Sequence, residues 1–309
     1  MQGIVYKSTG SWYVIKEDSG KWWNARMKGV FKLDNITSTN PIAVGDVVDF
    51  DLENEKESSA TITKIHDRRN NINRQSPKIK SQQHIVAANV DQSFMIATLK
   101  EPRTSQGFID RFLVTCEMYH VPAVIIFNKA DIYGQKELDQ FEAFKDMYRS
   151  IGYRVYLTSI KEGTGLEDVK EQLTDKVTLI SGHSGVGKSS LINAIFPEKN
   201  LRTQGISGWS GKGQHTTTFA EMFDLPFGGK LIDTPGMKEF GLVNIEKQEL
   251  SGYFPEMKTR LNDCQFNNCL HTSEPGCAIK QAVVDGAIAE DRYVSYYNIL
   301  ESIDEKTWQ

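Results

Sequence analysis

The sequence predicts three units in series: a small all-β barrel over residues 1–71, an α/β unit over 72–240 and a mostly helical unit over 241–309. Three observations predict them. The first seventy or so residues hold about five short apolar-patterned runs separated by turn residues, as small barrels do. The middle of the chain alternates strand-like and helix-like segments, the pattern of a mostly parallel sheet covered by helices. The last part carries Cys264-x₄-Cys269-x-His271-x₅-Cys277 between helical stretches, and so small a unit needs a staple that a metal can supply.

Bulk properties agree with several cores in one chain. At 309 residues, two or three are expected. A chain 39% hydrophobic and 25% charged reads as an ordinary globular protein. No apolar run approaches ~18 residues, so no membrane helix is expected. The start, MQGIVYKSTG, lacks a basic region followed by an apolar run and is not a secretory signal. A cytoplasmic location follows as an expectation. Of four cysteines, Cys116 stands alone in a helical pattern and the others cluster, which in a cytosolic chain favours metal over disulfide. A net charge of −4 supplies no global attraction to nucleic acid; any such contact must use local basic patches or shape.

In the first unit, GIVYK, SWYVIKE and KWWNARM are separated by Ser-Thr-Gly-Ser and Asp-Ser-Gly-Lys turns. Residues 41–46 precede a strand over Val47–Leu52, and the polar turn Glu53–Ser59 leads into Ala60–His66. An OB-fold barrel fits best, and such barrels commonly bind oligonucleotides. Trp12, Tyr13, Trp22 and Trp23 are either base-stacking platforms or core and hairpin packing. Packing is the expectation for any one of them, because aromatics are ordinary strand residues. Arg68, Arg69, Arg74, Lys78 and Lys80 form a basic run at the barrel's exit, open to two readings: phosphate contact or solvated linker.

In the middle unit, Ser93–Leu99 is a buried strand and Gly107–His120 a helix with Phe108, Phe112, Leu113 and Cys116 on one side. Val121–Phe127 is a second strand, followed at once by Asn128-Lys129-Ala130-Asp131. The helix Glu137–Ile151 precedes the strand Tyr153–Leu157, which ends in Thr158-Ser159; Gly165–Leu173 is again helical. Val177–Ile180 then feeds Gly182-His183-Ser184-Gly185-Val186-Gly187-Lys188-Ser189, which satisfies G-x-x-x-x-G-K-[ST] and opens the helix-like SSLINAIF. Strand, glycine turn and helix are the context of a P-loop. Glycines let successive N–H groups, here from Gly182 through Ser190, curl around phosphate oxygens at a positive helix end. Lys188 can reach the outer phosphates, and Ser189 can offer an oxygen to Mg²⁺.

Asn128–Asp131 matches N-K-x-D. A carboxylate at Asp131 can accept from guanine N1–H and N2–H₂, whereas adenine would leave it unpaired, which is how such sites discriminate. Asn128 can hold the loop and the Lys129 stem can lie over the ring. Thr158-Ser159-Ile160 takes the place of an S-A-x element, with Ile160 departing from the usual alanine. A strand over Lys230–Ile232 ends in Asp233-Thr234-Pro235-Gly236, a D-x-x-G match: Asp233 for the Mg²⁺ shell, Gly236 for a backbone N–H to the γ-phosphate. The glycine- and threonine-rich Gly205–Thr218 lies between. One of Thr216–Thr218, taken as Thr217, is expected to complete the Mg²⁺ shell. These motifs read as a GTP site whose base elements precede the P-loop. That order reverses the Ras-like arrangement, so the domain is expected to be circularly permuted, a change tolerated when termini lie close. Asp233–Gly236 becomes its last element and links the nucleotide covalently to the C-terminal unit. Met237 stands where a water-orienting glutamine is usual and cannot orient water by hydrogen bonding. Intrinsic hydrolysis is therefore expected to be slow, with His215, and less so Gln214, as the candidate catalytic group beside Lys188.

Cys264, Cys269, His271 and Cys277 offer three thiolates and one imidazole within 14 positions, a closed structural zinc set with no position for catalytic water. Ile245–Phe254 and Ile279–Glu301 are expected to be helical around it.

With these motifs in hand the chain resembles the small-ribosomal-subunit biogenesis GTPase family (RsgA, also called YjeQ or YloQ) over essentially its whole length. The resemblance rests on DRRNNINR, GFIDRFLV, NKAD, GHSGVGKSS, GKGQHTTT, DTPG and the Cys/His cluster. It implies an OB-fold, a circularly permuted GTPase domain and a zinc-binding helical domain. It further implies GTP hydrolysis stimulated by the 30S subunit, late action in that subunit's maturation, binding of 16S rRNA, and a part for His215 in stimulated hydrolysis. A monomer using GTP/GDP, one structural zinc and Mg²⁺ is the resulting expectation. The alternative is a GTP-gated RNA- or protein-binding module in which hydrolysis is incidental.

Overall fold

Alternation decides what the first unit buries. The computed structural model describes residues 1–28, 41–75, 83–197, 220–234 and 245–303. Its first strands are β1 (Gln2–Ser8), β2 (Tyr13–Glu17), β3 (Trp22–Met27), β4 (Val47–Asn54) and β5 (Ser59–Ile65). They run in the order β1-β2-β3-β5-β4, and β4 returns to pair with β1. Only the β3–β5 contact is parallel. Closure removes the sheet edges, and this connectivity is that of an OB barrel. With period two, Tyr13 and Ile15, then Trp23 and Ala25, face the barrel core. Trp12 and Trp22 stay outside, 45% and 46% exposed. Tyr13 and Trp23 are thus core residues, whereas on the outer surface Trp22 packs edge-on against Tyr6, centroids 4.9 Å apart, and Trp12 lies against the Arg26 guanidinium.

At the first two positions of the basic run at the barrel's exit the structure shows ion pairs. Arg68 makes a two-pronged pair with the fully buried Asp46, Nε to Oδ1 at 2.6 Å and Nη2 to Oδ2 at 2.7 Å, and also donates to Pro41 O. Arg69 pairs with Asp91 at 2.6 Å. Both arginines fasten the barrel to its neighbouring segments. The side chain of Arg74, and Lys78 and Lys80 entirely, lie outside the described residues. The segment beyond is a hairpin that the sequence pattern did not announce: β6 (Asn71–Gln75) pairs antiparallel with β7 (Gln83–Ala88).

The central sheet comprises β8 (Gln92–Ala97), β9 (Ala123–Phe127), β10 (Arg154–Leu157), β11 (Val177–Ser181), β12 (Glu221–Asp224) and β13 (Lys230–Asp233). Their order is β10-β9-β8-β11-β13-β12, parallel except at β12. The helices α1 (Gln106–Met118) and α2 (Gln135–Ser150) cover one face; α3 (Leu166–Leu173) and α4 (Lys188–Ile195) cover the other. Met95 and Ala97 point to the first face, Phe94 and Ile96 to the second. A sheet buried on both faces explains why these strands read as continuous apolar runs. At its edge, β12 pairs with β1 through Lys7 and Glu221, so barrel and sheet join into eleven strands.

The C-terminal unit departs from the expected helices. Residues 245–254 form only a 3₁₀ turn, Leu250–Tyr253. The span 279–301 breaks into α6 (Ala278–Val284) and α7 (Glu290–Glu301), with the short α5 (Pro255–Lys258) before them. Gly286, at φ +72°, ends α6, and the amides of Ala287 and Ile288 turn back to Ala282 O. That is a glycine stop that satisfies the last carbonyls. No described helix is long and apolar enough to cross a membrane.

Candidate functional site

Parallel strands bring their carboxyl ends to one side, and ligands of such sheets bind there. Asn128 follows β9, Thr158-Ser159 follows β10, Gly182 follows β11 and Asp233 closes β13. Four motifs scattered over 106 positions of sequence therefore converge.

The glycine loop is shaped by its neighbours. Gly182 sits at φ +145°, and a Cβ there would lie 2.3 Å from Ile96 O on β8. Gly187, at φ +96°, would place a Cβ 2.4 Å from Asn128 Nδ2. Both positions demand glycine twice over, by conformation and by space. Lys188 curls back so that Nζ donates to Gly182 O at 2.5 Å and His183 O at 2.7 Å. Burial lowers its pKa, and the Asp233 carboxylate opposes that. Burial likewise raises the Asp233 carboxyl, against the attraction of Lys188. A desolvated cation whose hydrogen-bond acceptors among the described residues are neutral carbonyls gains strongly when an anion arrives. The ring of His183 stacks on Phe108 of α1, centroids 3.6 Å apart and planes at 30°. Burial, then Lys188, depress the His183 pKa.

The loop after β9 is tied on three sides. Asn128 is fully buried; its Nδ2 donates to Val186 O at 2.9 Å and its Oδ1 accepts from Thr158 Oγ1 at 3.0 Å. One amide therefore joins the glycine loop to both base-side loops. Lys129 adopts φ +68° and its ammonium donates to Glu101 O. Asp131 Oδ1 accepts from Ser159 Oγ at 2.9 Å, and Ala130 N donates to Thr158 O at 3.0 Å. Tyr133 OH donates to Asn128 O at 2.7 Å and accepts from Leu99 N at 2.9 Å. Tyr133 supports the site from outside any motif and no spacing signal marks it; Phe108 belongs to the apolar face of α1 and to GFIDRFLV, but nothing in its spacing pairs it with His183. Thr216–Thr218, Gln214, His215, Gly236 and Met237 lie outside the described residues.

A second cluster lies in the C-terminal unit. The ligand atoms of Cys264, Cys269, His271 and Cys277 all fall within 4.8 Å of one another. His271 Nδ1 faces Cys264 Sγ at 3.6 Å and Cys277 Sγ at 3.4 Å. Cys277 caps α6. The loop is held from behind: Tyr293 OH donates to His271 O at 2.5 Å and Tyr296 OH to Leu270 O at 2.9 Å. Glu274 accepts from Leu270 N and Thr272 N at 2.8 Å each. Burial alone would raise its carboxyl, but these amides hold it at about 2. Burial pushes the Cys269 thiol up to about 12, so thiolate there requires a cation in the proton's place. Three sulfurs and one imidazole nitrogen facing a common point fit a tetrahedral, borderline-soft metal ion.

Comparison with known proteins covers the whole chain. The family model for the RsgA N-terminal domain matches residues 2–60 and that for the RsgA GTPase matches 65–243. A protein of Flavobacterium psychrophilum named small ribosomal subunit biogenesis GTPase RsgA is 52% identical over 306 residues, covering 99% of this chain and 94% of its own. Its namesake in Christiangramia forsetii is 50% identical, covering 99% and 97%. The crystal structure of YjeQ from Thermotoga maritima aligns with a TM-score of 0.79 at 33% identity, over 99% of each chain. That of YloQ, described as a circularly permuted GTPase, aligns at 0.74 and 32%, over 100% of this chain and 96% of its own.

Proposed function

The chain belongs to the RsgA GTPase family, and from that premise we propose that it uses GTP hydrolysis as a timing switch on the small ribosomal subunit. The observation that carries the nucleotide assignment is the buried Asn128, bonded at once to the glycine loop and to Thr158. Those two hydrogen bonds support reading the loop after β9 as the base-side neighbour of the phosphate loop, although their order in the chain is reversed.

In this reading Asp131, held by Ser159, accepts from the guanine N1–H and N2–H₂, and Lys129 covers the ring beside Ala130. Backbone amides from Gly182 through Ser190, including those of His183, Ser184, Gly185, Val186 and Gly187, cradle the phosphates. Lys188 exchanges its two carbonyls for phosphate oxygens as charge builds on them. Ser189, Thr217 and Asp233 would hold Mg²⁺, which when bound neutralises charge on the phosphates. Gly236 offers an amide to the γ-phosphate and His215 assists attack by water. Cys264, Cys269, His271 and Cys277 would hold one zinc ion with a structural task. The relatives' name points to the 30S subunit as partner, hence to contact with 16S rRNA, by a cytoplasmic monomer.

The test is the GTPase rate with 30S subunits, with 50S subunits and with neither. Stimulation by 30S alone is expected, with ATP left uncleaved. Equal rates in all three, or ATP cleaved as fast as GTP, would overturn the reading. Asp131→Asn is expected to move preference from guanine to xanthine nucleotides.

A further inference from the structure

Helix α1 reaches from the glycine loop to the metal-bearing unit. Its first turn carries Phe108, stacked on His183. Two residues on, Asp110 is fully buried, and its Oδ1 accepts from Arg292 Nη1 at 2.6 Å and from Tyr148 OH at 2.8 Å. Arg292, on α7, is 1% exposed. Its Nε and Nη2 fork onto Glu256 at 2.7 and 3.2 Å, and its guanidinium lies 4.6 Å from the centre of the Phe254 ring. One turn beyond Asp110, Val114 enters the C-terminal core with Leu250, Phe254 and Tyr296, and Met118 packs against that core. The same helix thus ends in the phosphate loop at one side and in the neighbouring unit's core at the other.

The contacts form a chain of holds. Lys188 Nζ is seated on Gly182 O and His183 O. The His183 ring is seated on Phe108, and Phe108 rides on a helix whose next residues are clamped by Arg292. Burial alone would weaken the guanidinium's hold on its proton; Asp110 and then Glu256 outweigh it and raise the pKa instead. Two carboxylates share one guanidinium with almost no water, so the geometry is intolerant of displacement.

We propose that Phe108 is a positioning residue for the phosphate loop, and that the Asp110–Arg292–Glu256 cluster sets it. Docking of the metal-bearing unit on α1 then tunes nucleotide affinity. The route passes through packed side chains and does not need the covalent link after Asp233. It rests on the reading of residues 182–189 as the phosphate loop. Were that reading wrong, the wild-type chain would not bind GDP at all; were only this inference wrong, GDP would bind and the coupling would be missing.

The experiment uses the full chain. Ring-proton resonances of its six histidines are recorded by NMR, with His183 assigned through His183→Gln, alongside GDP affinity and Tm. Phe108→Leu is expected to remove the ring-current shift of His183 and to weaken GDP binding about two- to ten-fold, the equivalent of one aromatic pair; Phe108→Tyr restores both. Arg292→Lys keeps the charge and loses the fork. It is expected to move the His183 resonance and the GDP affinity in the same direction as Phe108→Leu, although Arg292 touches neither loop nor nucleotide. Glu256→Gln gives the same readout if Arg292→Lys does not fold. The inference is overturned if the cluster variants lower Tm while His183 and GDP affinity stay at wild-type values. It is equally overturned if Phe108→Leu moves the resonance without changing affinity.

Discussion

The barrel and the C-terminal unit with its Cys/His cluster flank the same GTPase sheet and are fastened to it by opposite means. The barrel joins through backbone, β1 to β12, with a small apolar cluster that includes Tyr6, Leu179 and Met222. Along the β1–β12 seam the charges stay at the rim: Asp224, 39% exposed, accepts from Tyr6 OH at 2.6 Å and pairs with Lys16, 27% exposed. Among the described residues the C-terminal unit shares no strand with the sheet. It joins through α1, by a buried charge cluster and a common apolar core. Rim pairs are worth about 0–1 kcal/mol, whereas breaking a buried pair costs about 3–5 kcal/mol because a charge is left unpaired. The first junction should tolerate substitution and the second should not.

Metal removal is the strongest way to sharpen that contrast. Cys269 and Cys277 belong to the same core as Leu250, Phe254 and Tyr296, and structural zinc contributes on the order of 10 kcal/mol. Chelation is expected to abolish the tertiary circular-dichroism signal of Tyr293 and Tyr296 while Trp23, deep in the barrel, keeps its native emission. Loss of both signals together would break the contrast. A matched pair of substitutions comes next. Arg292→Ala should cost about 3–5 kcal/mol in urea unfolding, and Lys16→Met about 1 kcal/mol or less; equal costs would show that the seams are alike. The smallest effect is one of pH. Burial would raise the Asp224 carboxyl, but the hydrogen bonds from Lys16 and Tyr6 outweigh it and hold its pKa below 3.8. Its contribution is therefore complete above about that pH and is lost as pH falls through the lower folded value. Solvent screening keeps it small. Acid titration of wild type against Asp224→Asn should show a constant separation above pH 3.8 that closes as pH falls below it; a separation that stays constant through the acid range would remove Asp224 from the seam.

Legibility differed by kind of contact. The glycine loop, Asn128–Asp131 and the Cys/His cluster were plain because each is a run of neighbours whose spacing carries the chemistry. The three-unit fold followed from periodicity, and the permuted order from the order of motifs. Tyr13 and Trp23 could not be told from Trp12 and Trp22, since both pairs fit a strand and only barrel closure says which face is inside. Arg68 resembled a solvated linker charge until Asp46 was placed beneath it. The helix expected across 279–301 broke because Gly286 turns left-handed, a conformation that one glycine permits but does not announce.

By itself the sequence determined which ligand chemistry the chain can offer and in what order along the chain. Covalent neighbours need no fold to stand at fixed spacing. Tertiary structure alone decided which groups share a charge. The Asn128 amide meets Val186 O across 58 positions and Arg292 meets Asp110 across 182. Such pairs leave no local trace, because a residue's own sequence neighbourhood reports its secondary structure and exposure pattern, not the partner that compensates its burial.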